Sequence, residues 1–307
     1  MVKQTTSKKK ANKKTAAKSN ANVKNVKEEV VKTAVTPAVK ATAKATTGTP
    51  ATKMARWYKW SGVVYLVASA VVAFLAKEVA APVTLQYPSI DALASEANGH
   101  QVMGLASRHI ADVHLGWIVV TFLAIFGVVN LMLATMYRPY LEPSLKRGVN
   151  AFRWLSLGFG GGMMVVAIAM VSGFTSLALL LSLFAFTLLG CLLALAAETV
   201  VTNNGGIKTR FAHFMCGLSV ISSSAPWVVF GLAMLGAGLW HGHFTSYMYS
   251  IYICQFVLFL ALISATHFRL KRQGKWADAL YTDRAFLVLT FVSSALLAAQ
   301  IFVGVLK

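Results

Sequence analysis

Charged residues are scarce in this chain. Asp, Glu, Lys and Arg make up 13% of its 307 residues, whereas a soluble globular domain carries about 25%. Acidic residues are the scarcest, with ten against 29 basic residues. Because 57% of the residues are hydrophobic, the composition excludes an ordinary soluble domain and indicates an integral membrane protein.

Cysteine is also rare, and the motifs of common enzyme sites are missing. The three cysteines, Cys191, Cys216 and Cys254, lie in or beside apolar stretches, where we expect them to pack as small apolar residues and not to form disulfides. The sequence has no glycine-rich phosphate loop, nucleophile triad or metalloprotease motif. We therefore predict that the protein is not an enzyme.

Long apolar sequence, by contrast, is abundant. A helix that crosses a hydrocarbon layer about 30 Å thick needs about 20 apolar residues. Seven stretches have this length, at about residues 60–80, 114–136, 154–172, 175–197, 212–236, 246–268 and 285–306. The sequence therefore predicts an all-α, multi-pass protein of the cell membrane, embedded in the lipid bilayer.

Residues 1–55 differ in composition from residues 56–307. Up to Lys59 the chain has fourteen Lys and one Arg against Glu28 and Glu29, which gives this part a net charge of +13. It has no aromatic residue before Trp57 and no sustained apolar periodicity, so we predict a disordered tail. Its lysines would attract the anionic lipid headgroups that are close by. Lysine runs also favour nucleic acid, but we do not expect that partner.

The basic residues of the loops predict the orientation in the membrane. The tail and the second, fourth and sixth loops carry most of the Lys and Arg, and the third and fifth loops carry none. The first loop balances Lys77 and Arg108 with four acidic residues. Because loops rich in Lys and Arg stay in the cytoplasm, we predict a cytoplasmic N-terminus and a C-terminus outside.

Six sequence blocks carry a resemblance to a known family. They are G-V-V-Y-L-V at Gly62–Val67, A-A-P-V-T-L-Q-Y at Ala80–Tyr87, N-A-F-R-W at Asn150–Trp154, the pair Pro226-Trp227, the block G-K-W-A-D-A-L-Y-T-D-R-A-F-L-V-L at Gly274–Leu289, and A-A-Q-I-F-V-G at Ala298–Gly304. In this order, over about residues 56–307, the chain resembles the heliorhodopsins. The resemblance implies a seven-transmembrane-helix, rhodopsin-like bundle with the inverted orientation argued above, a photoreceptor-like membrane protein, and a homodimer.

The chain departs from this family at the two residues that hold retinal. The family carries its retinal lysine ten residues after the arginine of the R-A pair, which is Ser294 here, and no lysine occurs between Lys275 and Lys307. Its counterion glutamate follows the tryptophan of F-R-W by two residues, which is Ser156 here. A serine hydroxyl cannot condense with an aldehyde to give an imine, so we expect no covalent retinal and no cofactor, while a non-covalent retinoid or lipid is left open.

The resemblance also assigns three residues to the lining of the former retinal pocket. They are Tyr65, where heliorhodopsins often have histidine, Asn130 and Trp227. A glycine run, Leu157–Gly162, lies next to the counterion position. Because small residues four apart let membrane helices approach closely, the run is consistent with a pocket reshaped for another apolar ligand or with helices that have closed over the old retinal space. We favour the closed core.

Histidines in or beside the outward loops are the only candidates for a metal site. The weak candidates, which combine imidazole and carboxylate ligands, are His109, Asp112, His114, His241 and His243. Because their spacing matches no fixed metal motif, solvated loop side chains are the simpler interpretation.

Three functions are consistent with these features. The first is a heliorhodopsin-like membrane protein that has lost covalent retinal and acts as a sensory, regulatory or scaffold protein. The second is a photosensory, lipid or retinoid receptor with a non-covalent ligand. The third is a small transporter or channel for a neutral solute, because Glu198 is the only acid within reach of a predicted span and ion coupling needs acids inside the membrane.

Overall fold

A computed structural model describes residues 50–307 except Gly206, Lys208, His241 and His243. Most of the predicted tail, residues 1–49, lies outside the described part. The first helix begins at Pro50, so residues 50–55, which the sequence assigned to the tail, are helical instead. The physical reason is burial, because Met54 and Ala55 pack against Leu133 and Leu141.

The described helices and strands follow a simple order. They are α1 (Pro50–Leu75), β1 (Ala80–Asp91), α2 (Ala92–Asn98), β2 (Val102–His114), α3 (Leu115–Ala134), α4 (Arg138–Arg147), α5 (Ala151–Val171), α6 (Leu177–Asn203), α7 (Arg210–Leu239), α8 (Ser246–Lys271) and α9 (Ala279–Ile301), with a 3-10 turn at Gly274–Ala277 and a π turn at Phe302–Leu306. In this part of the chain seven helices, α1, α3 and α5 to α9, are long and apolar enough to cross a membrane. The predicted seven spans are confirmed. We call the end of the bundle at which α1 begins the tail-side end.

Helix α5 is the centre of the bundle. Of its most apolar stretch 67% is buried, against 22–44% for the other six spans. The main core packs around it and includes the rings of Phe122, Phe126 and Phe230, all with no more than 2% of their surface exposed. The other spans expose apolar side chains on their outer faces, as expected for helices in contact with lipid.

The first loop contains a β-hairpin, which the sequence did not predict. Strands β1 and β2 form a two-stranded antiparallel sheet whose register runs from the pair Ala80–His114 to the pair Asp91–Val102, with a bulge between Val83 and Thr84. The Thr84 N–H donates to the carbonyl of Thr175, in the turn between α5 and α6, at 2.9 Å. The backbone groups of this long loop therefore pair with each other across the hairpin, beside a bundle that is otherwise helical as predicted.

A short helix absent from the prediction, α4, lies between two spans at the tail-side end. It buries Leu141 and Leu145 and leaves its charged residues outward, with Lys146 paired to Glu142 at 3.1 Å. Its C-terminal cap is Gly148, whose φ of 82° lies in the left-handed region that favours glycine.

Candidate functional site

A cavity of about 350 Å³ lies among α5, α6, α7 and α8, with Phe126 of α3 and part of α9 also in its wall. Its size falls in the range of small-molecule sites. The wall is mostly apolar and includes Trp227, which packs against Phe256 and Phe259 of α8 with ring centroids 5.4 and 5.3 Å apart. The lining also includes the exposed residues Val220 of α7 and Ser264 of α8, so the cavity reaches the lipid-facing surface between these two helices.

One side of this cavity is polar. Gln255 of α8 and Ser293 of α9 both line it and form a reciprocal pair. The Ser293 hydroxyl donates to Gln255 Oε1 at 2.7 Å, and Gln255 Nε2 donates to the backbone carbonyl of Ser293 at 3.1 Å. Thr290 lies one turn earlier on α9 and also lines the cavity. This edge offers hydroxyl and amide groups to one polar end of an otherwise apolar ligand.

The position predicted for the retinal lysine is closed. Ser294 has no exposed surface, and its Oγ lies 2.8 Å from the Tyr65 hydroxyl. Because the Ser294 hydroxyl donates to the backbone carbonyl of Thr290 at 2.7 Å, the Tyr65 hydroxyl is the donor between the two side chains. The Tyr65 ring stacks on Phe126 and meets Phe291 edge-on, with centroids 5.5 and 5.2 Å away. An aromatic cluster therefore covers the serine.

The other predicted pocket residues do not line the cavity. The buried Ser156 hydroxyl donates to the carbonyl of Arg153 on its own helix at 2.9 Å. The buried Asn130 amide donates to Ser61 Oγ, between α3 and α1, at 3.2 Å. Of the five positions named from the sequence, only Trp227 contacts this cavity. Each of the other four finds a polar partner in the packed core instead.

The glycine run of α5 packs against neighbouring rings at two positions and lines the cavity at a third. A Cβ added at Gly160 would lie 2.5 Å from Phe126, and one added at Gly162 would lie 2.7 Å from Phe184 of α6. These two glycines therefore admit neighbouring rings. Gly161 lines the cavity, and a Cβ there would meet only Thr187, at 3.9 Å. The helices therefore pack closely at Gly160 and Gly162 and leave a cavity beside Gly161.

A buried ion network occupies the tail-side end of the bundle. Arg153 of α5 places its Nη2 2.6 Å from Glu198 Oε2 of α6 and contacts Asp283 of α9 through Nη1. The Trp154 indole N–H donates to the same Glu198 oxygen at 2.7 Å. The Arg153 guanidinium also lies over the Phe286 ring, 4.7 Å from its centroid. These contacts join three helices around two carboxylates.

Arg269 extends the network to α8 and the neighbouring turns. Its Nε donates to Glu198 Oε1 at 3.1 Å, and its Nη1 donates to the carbonyls of Trp276 and Ala277 at 3.1 and 3.0 Å. Its Nη2 donates to the carbonyl of Gly148. A Cβ at Gly148 would lie 2.8 Å from that nitrogen, so glycine there permits both the left-handed cap and the close approach of the guanidinium.

Sequence reasoning missed this network. It treated Arg153 and Arg269 as loop residues that set the topology, and it recognised Glu198 as the only acid near a span. The structure places Asp283 inside α9 with 2% of its surface exposed. The signal present in the sequence is one arginine or acid at the tail-side end of each of four spans, since charges that enter a membrane span need partners.

The predicted metal candidates do not come together in the described part of the chain. His109 Nε2 lies 3.0 Å from Asp112 Oδ1, but both side chains are more than half exposed. His114 precedes α3 without capping it through its side chain. Among the described residues no group of three or more His, Cys, Asp or Glu could hold a metal ion. His241 and His243 lie outside the described residues.

Comparison with known proteins gives one family. No curated protein matches the chain. The family model described as heliorhodopsin matches residues 54–306, a range that includes most of the first span, all of the other six, the ion network and the cavity. This match confirms the resemblance predicted from the sequence blocks. The chain belongs to the heliorhodopsin family.

Proposed function

We propose that this heliorhodopsin-family membrane protein does not bind retinal covalently and acts through contacts in the membrane, as a sensory, regulatory or scaffold protein. The observation that carries the proposal is the environment of Ser294. A Schiff base needs a primary amine, and the hydroxyl at this position is committed to Thr290 and Tyr65. None of the described residues that line the cavity is a lysine.

The counterion position supports the same conclusion. A protonated Schiff base inside a membrane needs a carboxylate close by, because an unpaired buried charge is costly. Ser156 is buried and its hydroxyl donates to a backbone carbonyl. The two carboxylates in the bundle, Glu198 and Asp283, are held by arginines at the tail-side end. Neither is available to replace the lost counterion.

The retained cavity favours a second candidate, a receptor for a non-covalent apolar ligand such as a retinoid or another lipid. Its wall is mostly apolar, its polar edge at Gln255 and Ser293 suits a single hydroxyl or carbonyl, and its opening between α7 and α8 faces lipid. A ligand dissolved in the bilayer could enter there without crossing water. No comparable observation favours the transporter for a neutral solute.

Expression with added all-trans retinal, followed by absorption spectra before and after hydroxylamine, tests both candidates. The first candidate gives no retinal band after purification. The second gives a band close to that of free retinal that is lost on washing with detergent and does not require a lysine. A band beyond ~450 nm that hydroxylamine bleaches, as expected of a protonated Schiff base in this family, would contradict both candidates.

A lysine and a glutamate placed at the two positions assigned to retinal chemistry test whether Tyr65 closes the site. Ser294→Lys with Ser156→Glu should give little pigment, because the new lysine would meet the Tyr65 ring cluster. Addition of Tyr65→His, a smaller side chain, should raise the yield of pigment several-fold. Equal yields with and without the third change would show that Tyr65 does not block the position.

A further inference from the structure

A second concave site lies on the surface of the bundle, away from the cavity. It is a groove of about 580 Å³ at the tail-side end between α1 and the junction of α3 and α4. Its lining, which we call the basic groove, consists of Thr52, Ala55, Arg56, Lys59, Trp60, Val63, Ala134, Thr135 and Arg138. The six residues from α1 follow the repeating i, i+3, i+4 pattern, so they form one continuous face of that helix.

Three cations converge on this groove, and none of its lining residues is acidic. Arg56 and Lys59 come from α1 and Arg138 from the start of α4. All three are exposed. Among the described residues, no ion pair includes any of them, although Arg138 Nη2 donates to Thr52 Oγ1 at 3.3 Å. Three like charges around one concave surface favour an anionic occupant.

The other end of the groove is apolar. Val63, with 39% of its surface exposed, and Trp60, with 67% exposed, lie on the side of α1 that leads into the membrane. From Thr52 to Val63 the helix rises about 16 Å, at ~1.5 Å per residue. This distance spans the headgroup layer and the upper part of an acyl chain. The exposed tryptophan suits the same interface between headgroups and hydrocarbon.

We propose that the basic groove is a binding site for one anionic glycerophospholipid. Arg56, Lys59 and Arg138 bind its phosphate and the acidic part of its headgroup, and one acyl chain lies along Trp60 and Val63. A free phosphate would use only the cations and would leave the apolar end in contact with bulk lipid. The combination of charge at one end and apolar surface at the other therefore favours an amphiphile.

The test compares charge-matched variants of the full chain. Arg56→Gln, Lys59→Gln and Arg138→Gln together remove the groove cations. Arg210→Gln, Lys271→Gln and Lys275→Gln together remove three exposed cations from elsewhere on the tail-side end. Both variants keep the Lys-rich tail and lose the same net charge. Each is assembled in nanodiscs of phosphatidylcholine with a minor fraction of phosphatidylglycerol, and native mass spectrometry counts the lipids retained on the released protein.

We expect the wild type and the control variant to retain one phosphatidylglycerol that the groove variant loses. The affinity for this lipid should fall by roughly 100-fold in the groove variant, because three cations near the membrane surface are removed. Val63→Phe, which fills the apolar end at a lipid-exposed position, should also weaken retention while all charges remain. Thermal unfolding of each variant in phosphatidylcholine alone reports whether the fold is intact.

Three results would overturn the proposal. An equal loss in the groove and control variants would show a general attraction of the basic end for anionic lipid. Unchanged retention of phosphatidylglycerol by Val63→Phe would show that no acyl chain lies in the groove. Release of the lipid by millimolar inorganic phosphate, with no effect of an equal concentration of chloride, would make the site one for free anions.

Discussion

At the scale of single residues, the chain pairs the charges that it buries and has serines at the two positions that the family resemblance assigns to retinal chemistry. Glu198 accepts hydrogen bonds from Arg153, Arg269 and the Trp154 indole, and only 2% of its surface is exposed. Ser156 and Ser294 satisfy their hydroxyls within the packed core. The tail-side end is therefore held by ions, and the middle of the bundle by neutral packing.

Glu198→Gln should be strongly destabilising. The substitution leaves two buried guanidinium groups with one carboxylate between them, and removal of one partner from a buried ion pair costs about 3–5 kcal/mol. The matched control is Glu142→Gln, which breaks the exposed pair with Lys146. An exposed helical pair contributes about 0.3–0.5 kcal/mol, so its unfolding midpoint should barely move. Thermal unfolding in one detergent compares the two, and similar shifts would show that the buried pairs do not stabilise the fold.

Residue-level prediction from sequence reaches local chemistry but does not reach contacts between distant positions. That Ser294 has a hydroxyl and no amine is given by the residue type itself. Its hydrogen bond to Tyr65 joins positions 229 residues apart, and the Arg153–Asp283 contact joins positions 130 apart. The periodicity of the sequence does not report such pairings, so the surroundings of Ser294 and the ion network are visible only in the folded structure.

At the scale of helices and strands, apolar length predicted all seven spans, because the thickness of the hydrocarbon layer sets the length of each helix. It did not predict the β1–β2 hairpin or α4. Both lie between spans, where backbone pairing and a few buried side chains such as Leu141 decide the structure. The glycine run of α5 was recognised, but which glycine faces a neighbour and which faces the cavity depends on the rotation of the helix.

Gly160→Ala and Gly161→Ala should therefore differ sharply. The new methyl group at position 160 meets the ring of Phe126, which is 2% exposed and stacked on Tyr65, so it cannot move aside easily. Overpacking of this kind costs about 1–3 kcal/mol. The methyl group at position 161 projects toward the cavity and should cost almost nothing. Thermal unfolding midpoints of the two variants measure the difference, and equal values would mean that the rotation of α5 is misassigned.

At the scale of the whole molecule, the basic residues predict the direction of insertion. The tail carries a net charge of +13 up to Lys59, and the hairpin follows the C-terminal end of α1. We expect an impermeant thiol reagent added to intact cells to label Ser107→Cys in β2 and not Ser19→Cys in the tail. Both sites should react after the cells are opened. Labelling of Ser19→Cys in intact cells would reverse the predicted orientation.

The hairpin also carries apolar surface that its own chain does not cover. Directly paired residues of an antiparallel sheet point to the same face, and so do pairs two positions apart. Ile90 and Met103 therefore share a face with Pro88 and Leu105. The exposed fraction of the surface is 53% for Ile90, 63% for Met103 and 78% for Leu105. A contiguous exposed apolar patch on a hairpin outside the spans indicates a contact surface.

We expect this face to contribute to the homodimer that the family resemblance implies. Met103→Gln with Leu105→Gln should shift the protein from dimer to monomer in mild detergent, because the exchange removes apolar area that association would bury. Ile207→Gln, at an exposed residue between α6 and α7, is the matched control and should leave the dimer intact. The wild-type dimer should also resist high salt, because apolar contacts are not screened as surface ion pairs are. Light scattering after size-exclusion chromatography measures both effects, and a wild-type monomer across several detergents and nanodiscs would contradict the dimer itself.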